Sequence, residues 1–172
     1  ERLNYKGIDF SLFSEDCRYT DDSTLTVAIA DAIMNGKDYA KTIRDYAQEH
    51  PLAGYGKSFI AWSNNPNAGP YNSWGNGSAM RVSPVGWLFN SIEDVLEHAK
   101  LSAEVTHNHP DGIKGAQAIA SCIFMARNGE SKDAIKEFVK NKFEYNLDRT
   151  IEEIRPVYEF DVSCQGSVPE AI

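Results

Sequence analysis

Apolar residues at Leu25, Ile29, Ala32 and Ile33 recur with the three-to-four-residue step of a helix, directly behind the polar run Thr20-Asp21-Asp22-Ser23. The pattern predicts a first helix that ends near Gly36. Tyr39, Ile43, Tyr46 and Ala47 repeat it until His50-Pro51, and a shorter run with Phe59, Ile60 and Trp62 follows the turn at Gly54 and Gly56, which gives two more helices. Ser91, with Asp94 three residues on, opens a helix that sets Ile92, Val95, Leu96 and Ala99 on one face. After a polar turn from Thr106 to Gly112, a helix runs through Ala120 and Ile123 to Asn128-Gly129, and Ser131 caps another that carries Ile135, Phe138 and Val139. Thr150 and Glu153 form a capping box for a helix that Pro156 stops early. Ser167-Val168-Pro169-Glu170 has the same S-x-x-E form with a proline just inside, so a helix is expected to start there and the chain to continue past Ile172. Nowhere does a stretch show strict apolar alternation between hairpin turns, the mark of a half-buried strand. The predicted class is all-α.

Between Asn64 and Gly77 the pattern breaks into Asn, Gly, Pro and Ser, a long loop with two aromatics, Tyr71 and Trp74, inside it. Composition then bounds the rest. With 172 residues of which 42% are hydrophobic, one domain over residues 1–172 with a sizeable core is expected. The net charge of -8, from 25 acidic against 17 basic residues with no basic run, argues against nucleic acid as a partner. No apolar stretch approaches the roughly 20 residues that span a bilayer, and no signal-peptide pattern opens the chain, so no membrane partner and a cytoplasmic location are expected. The three cysteines, Cys17, Cys122 and Cys164, are unevenly spaced and read as reduced thiols.

Three segments could carry chemistry. Thr20-Asp21-Asp22 lines up three oxygen ligands at a helix start, suited to a hard cation such as magnesium. The same letters are favoured as caps, and a cation there would oppose the helix dipole, so taken alone capping is the stronger reading and a metal would need further carboxylates. Gly75-Asn76-Gly77-Ser78 leads into Ala79-Met80-Arg81: glycines let the backbone approach a bulky anion, and successive N–H groups before a helix suit a pyrophosphate. A tight turn with a Ser cap explains that segment equally well. In Thr106-His107-Asn108-His109-Pro110 the two histidines lack the ligand count of a closed zinc site; an imidazole there would bond a substrate hydroxyl or phosphate, or stabilise the turn. Trp74, Trp87, Tyr71 and Phe89 near the Gly-rich loop could stack on a purine, although aromatics are more often core.

Taken together these segments resemble the ADP-ribosylglycohydrolase family. Cys17 to Ser23 looks like its Thr-Asp-Asp metal motif, Trp74 to Gly86 like its GNGSAMR-type substrate loop, and Thr106 to Ala116 like its His loop, in order and over essentially the whole chain. The resemblance implies a compact, orthogonal multi-helix fold shortened at both ends. It also implies a two-metal magnesium or manganese site, half of whose ligands are Thr20, Asp21 and Asp22; the other half comes from a C-terminal Asp-x-Asp-Thr-type motif that this sequence does not contain. Glu1 to Phe13 looks like the stretch that begins with the family's active-site Glu, without the helix that precedes it.

What the resemblance implies for activity is hydrolysis of the bond at C1 of the ribose that joins ADP-ribose to a protein side chain or small molecule. Asp21 and Asp22 would hold metal, and Glu1 would be the acid/base. The backbone of Gly75 to Ser78 would hold the pyrophosphate. Asn76, Ser78 and His107 would offer hydrogen bonds, with Met80 in the same loop and Arg81 either assisting or forming an internal salt bridge. The rivals are a non-catalytic ADP-ribose-binding or crystallin-like structural relative, and an unrelated metal-dependent phosphohydrolase.

Overall fold

A computed structural model describes Ser11, Phe13, Glu15 and residues 17–172. Among these residues lie ten helices and no strand: α1 (Asp21–Met34), α2 (Tyr39–Glu49), α3 (Lys57–Ser63), α4 (Gly77–Met80), α5 (Ser83–Leu88), α6 (Ile92–Glu104), α7 (Pro110–Arg127), α8 (Lys132–Phe143), α9 (Ile151–Ile154) and α10 (Cys164–Ala171). Sheet-like pairing among the described residues is confined to one antiparallel bridge, between Gly75 and Ser163. The all-α expectation is met. No helix among the described residues is long and apolar enough to cross a membrane.

The helical spacing read from α1 is the spacing it buries. Leu25, Ala28, Ile29 and Ala32 form one fully enclosed stripe against α2 and α5, joined by Ile43, Val85 and Val95. Each large aliphatic side chain so buried contributes about 1.5–3 kcal/mol. The long α7 is the hub: α4, α5, α6, α8 and α10 all pack on it. Its buried positions are small, Gly112, Gly115, Ala116, Ala118, Ala120 and Ser121, which lets its neighbours come close. Gly115 is the tightest case, because a Cβ there would collide with Cys164 Sγ of α10.

Caps account for most boundaries. Ser91, Ser131 and Thr150 accept the amides of Asp94, Ala134 and Glu153, and the Thr150–Glu153 capping box is complete. Three boundaries differ from the sequence expectation. α7 starts at Pro110, inside the expected turn, because His109 Nδ1 accepts the Asp111 amide and Pro110 supplies the fixed φ of a first helical residue. α5, with Pro84, Val85 and Gly86 buried, had no polar face to reveal it. α10 begins at Cys164, not after Ser167: Ser163 is the cap, accepting the Gly166 amide, while the Ser167 hydroxyl donates to the Ser163 carbonyl and Pro169 lies inside the helix.

Candidate functional site

A cleft of about 950 Å³ opens between the start of α1, the loop before α3, the segment from Tyr71 to Arg81, His107 and the C-terminal stretch that leads into α10. This volume falls within the range of small-molecule and cofactor sites. The Thr-Asp-Asp, GNG and His segments, dispersed in sequence, all reach it.

Asp21 and Asp22 line one wall. The α1 entrance is fixed by the backbone: the Asp21 amide donates to the Ala53 carbonyl (2.8 Å), and the Thr24 amide and hydroxyl both donate to the Thr20 carbonyl (3.1 Å each). Thr20 makes no side-chain cap; its hydroxyl donates instead to Asp22 Oδ2 at 3.1 Å. The oxygens that capping would use are therefore turned toward one another at the wall. A hydroxyl and two carboxylates are a donor set that suits a hard cation. Among the described residues no group of three or more His, Cys, Asp or Glu converges to complete such a set. Glu1 lies outside the described residues.

The GNG turn lines the same cleft. Two of its amides are occupied: Gly75 N–H donates to Ser73 Oγ (3.2 Å) and Asn76 N–H to the Val162 carbonyl (2.7 Å). Gly77 and Ser78 stand in the first turn of α4, where the helix offers their N–H groups no carbonyl. Side chains named as hydrogen-bond candidates are engaged internally. The Asn76 amide donates to the Asp161 carbonyl (3.4 Å) and Ser167 Oγ (3.0 Å), and the enclosed Ser78 hydroxyl donates to the Gly112 carbonyl (2.7 Å). Met80 and Trp74 line the cleft, and Trp74 is half exposed. Tyr71 also lines it, its ring centroid 5.9 Å from that of His107. Trp87 lies on the surface outside the cleft, and Phe89 stacks on His98.

Arg81 is the least expected placement. It is 0% exposed, at the base of the cleft; Nη2 donates to the Ser102 carbonyl and Thr106 Oγ1, both at 2.9 Å, while among the described residues Arg81 makes no ion pair and its Nε and Nη1 have no partner. Burial lowers its pKa to about 10, so it stays charged at neutral pH. Next to it His107 is 6% exposed, with Nδ1 2.7 Å from Thr106 Oγ1. Burial first, and then the Arg81 charge, lower its pKa to about 3, so the imidazole is neutral. A Cβ on Gly77 would come 3.0 Å from His107 Nε2, a tight contact that glycine avoids.

Sequence reasoning missed two parts of the wall. Gly54, Gly56, Lys57 and Ser58 read only as a turn, yet they form a rim that includes an exposed lysine. Phe160, Val162, Ser167, Val168 and Ala171 form the other. This second stretch also clamps the GNG turn: Cys164 N–H donates to the Trp74 carbonyl (3.0 Å) and Cys164 Sγ–H to the Gly75 carbonyl (3.2 Å). The available signal was Ser163 three residues before Gly166, a second cap-like pattern that competed with Ser167-x-x-Glu170.

A family model described as ADP-ribosylglycohydrolase matches residues 3–171. Among curated proteins, ADP-ribosylhydrolase ARH3 of Mus musculus is 31% identical over 144 residues, 73% of this chain and 39% of the relative. ADP-ribosylhydrolase ARH3 of Homo sapiens is 30% identical over 137 residues, 69% and 38% of the two chains. The uncharacterized protein YegU of Escherichia coli (strain K12) is 28% identical over 134 residues, 68% and 40%. The chain thus spans about two fifths of the length of the curated relatives it matches.

Proposed function

The chain belongs to the ADP-ribosylglycohydrolase family, and on that premise we propose that its cleft takes the ADP-ribose part of an ADP-ribosylated protein side chain or small molecule and hydrolyses the glycosidic bond at C1 of the joining ribose. The observation that carries this is convergence: two carboxylates, a glycine turn with amides to offer, and a neutral imidazole, from three separate segments, meet around one cleft. Phosphate oxygens would lie against the Gly77 amide and the His107 edge. The ribose would lie toward Asp21 and Asp22. As the bond to C1 breaks, positive charge grows on the sugar, and carboxylates on that wall would stabilise it.

Thr20, Asp21 and Asp22 would hold magnesium or manganese, and the fit rests on the Thr20 hydroxyl being turned to the Asp22 carboxylate rather than to the helix amides. When bound, such a cation supplies Lewis acidity toward substrate oxygens. Glu1 would act as acid/base by the resemblance alone.

Calorimetric titration with ADP-ribose, with and without magnesium or manganese, tests the binding half. Expected is metal-linked affinity that the double variant Asp21→Ala, Asp22→Ala loses. Release of ADP-ribose from serine- and arginine-linked peptides, followed by chromatography, tests the reaction. Affinity that ignores both metal and the double substitution would overturn the site assignment; metal-linked binding without release from any linkage would leave a binding protein, not an enzyme.

A further inference from the structure

Beneath the cleft three polar side chains run in series at almost no exposure: Arg81 and Thr106 at 0% and His107 at 6%. Arg81 Nη2 donates to Thr106 Oγ1 at 2.9 Å, and that oxygen is 2.7 Å from His107 Nδ1. The far edge of the imidazole, Nε2, lies beside Gly77 at the cleft.

The proton arrangement along this series follows from counting donors. A guanidinium only donates, so Thr106 Oγ1 must accept from Arg81. The threonine hydroxyl has one proton of its own. Were Nδ1 protonated, Oγ1 would accept from both sides, and the hydroxyl proton would have no acceptor among the described residues. An unsatisfied donor in a fully enclosed position is costly. With Nδ1 bare, every group is matched: the guanidinium donates to the hydroxyl, the hydroxyl donates to Nδ1, and the single imidazole proton resides on Nε2. Burial and the nearby guanidinium keep a second proton off the ring.

We infer that Arg81 and Thr106 are positioning residues that lock His107 in its neutral Nε2–H tautomer, so that it offers a hydrogen-bond donor to an anionic ligand group at the Gly75–Gly77 turn. Arg81 is 0% exposed and acts through its hydrogen bond to Thr106. Its charge is not neutralised by any carboxylate among the described residues, so it polarises the hydroxyl, and through it the ring, and strengthens the Nε2–H bond to an anion. The tautomer follows from this network alone; the identity of the anion as an ADP-ribose phosphate rests on the proposed function.

Nitrogen-15 imidazole NMR on the whole chain tests the two parts separately. The wild type should show the Nε2–H pattern for His107. Thr106→Val, which keeps the shape and removes the hydroxyl, should yield a mixture of tautomers and weaken ADP-ribose binding by roughly threefold to tenfold, the loss of one hydrogen bond. Thr106→Ser should restore both. An Nδ1–H pattern in the wild type, or a T106V imidazole indistinguishable from wild type, overturns the inference. If T106V does not fold, the wild type and T106S still decide it, since both must carry Nε2–H. A chain with the expected tautomer that ignores ADP-ribose even with metal refutes the choice of ligand and leaves the relay standing.

Discussion

Lowering the pH from 7 to 5 takes an ordinary histidine from mostly neutral to mostly protonated, and His107 refuses that proton while the protein is folded. Its pKa falls from 6.5 to about 3 because the ring is buried and faces the Arg81 charge. A folded pKa below the unfolded one means that, below pH 6.5, the unfolded chain binds a proton that the folded chain does not. Stability therefore drops as pH falls, and goes on dropping until the folded pKa is reached. Integrated from pH 7 to 5, the linkage amounts to about 2 kcal/mol. That is a sizeable part of the 5–15 kcal/mol, roughly, that a domain has in total. Asp31, Asp148 and Asp161 also have lowered pKa values, from 3.8, each held by a hydrogen-bonding partner: Lys37, Lys140 and Ser163 respectively. Their contributions are present above 3.8 and are lost only as pH falls through their folded values, below the pH 7 to 5 interval. Urea unfolding followed by tryptophan fluorescence at pH 7, 6 and 5, on wild type and His107→Gln, isolates the effect. The wild type should lose about 2 kcal/mol more than the variant over that interval. Parallel slopes would refute the account of a neutral, desolvated imidazole.

Two further outcomes follow from close approach. Gly77→Ala puts a methyl 3.0 Å from His107 Nε2, so ADP-ribose affinity in a titration should fall by roughly tenfold, about 1.4 kcal/mol, with retained helicity by circular dichroism; unchanged affinity would mean that this edge does not serve the ligand. Gly115→Ala drives a methyl into Cys164 Sγ, which should cost about 1–3 kcal/mol by thermal unfolding and speed hydrogen exchange at the Asn76 amide, since α10 carries the clamp on that turn; a destabilised chain with normal exchange at Asn76 would argue that the clamp is not needed.

Much of this molecule could be read from its letters, and the failures have physical reasons. α1, α2, α6, α8 and α9 were visible because an apolar stripe, a cap or both lay within one segment. α5 was not, since its exposed side carries Trp87 and Leu88 instead of polar residues, and Ser-Pro-Val-Gly-Trp has low intrinsic helix preference. The start of α10 is ambiguous in the letters because two serines four residues apart both precede plausible first turns, and only the pairing of Ser163 with Gly75 decides between them. In the site, Asp21, Asp22, Gly77 and His107 were nameable because chemistry narrows their residue types. For Arg81 the letters allow a ligand role or a salt bridge; the structure encloses it and pairs it, among the described residues, with a carbonyl and a hydroxyl that no local pattern announces. The Asp161–Ser167 clamp works chiefly through backbone groups, which leave little trace in composition.

The tie between Gly75 and Ser163 also sets an order of events during synthesis. A chain emerging from the ribosome displays α1 to α7, most of the hydrophobic interior, well before Asp161 to Ser167 has been translated. Helices can collapse locally at that stage, but the Gly75–Gly77 turn lacks the strap that shapes it, since that strap is encoded almost ninety positions downstream. The cleft's final shape is thus withheld until residues 161–167 have followed α7, however well the earlier helices have formed.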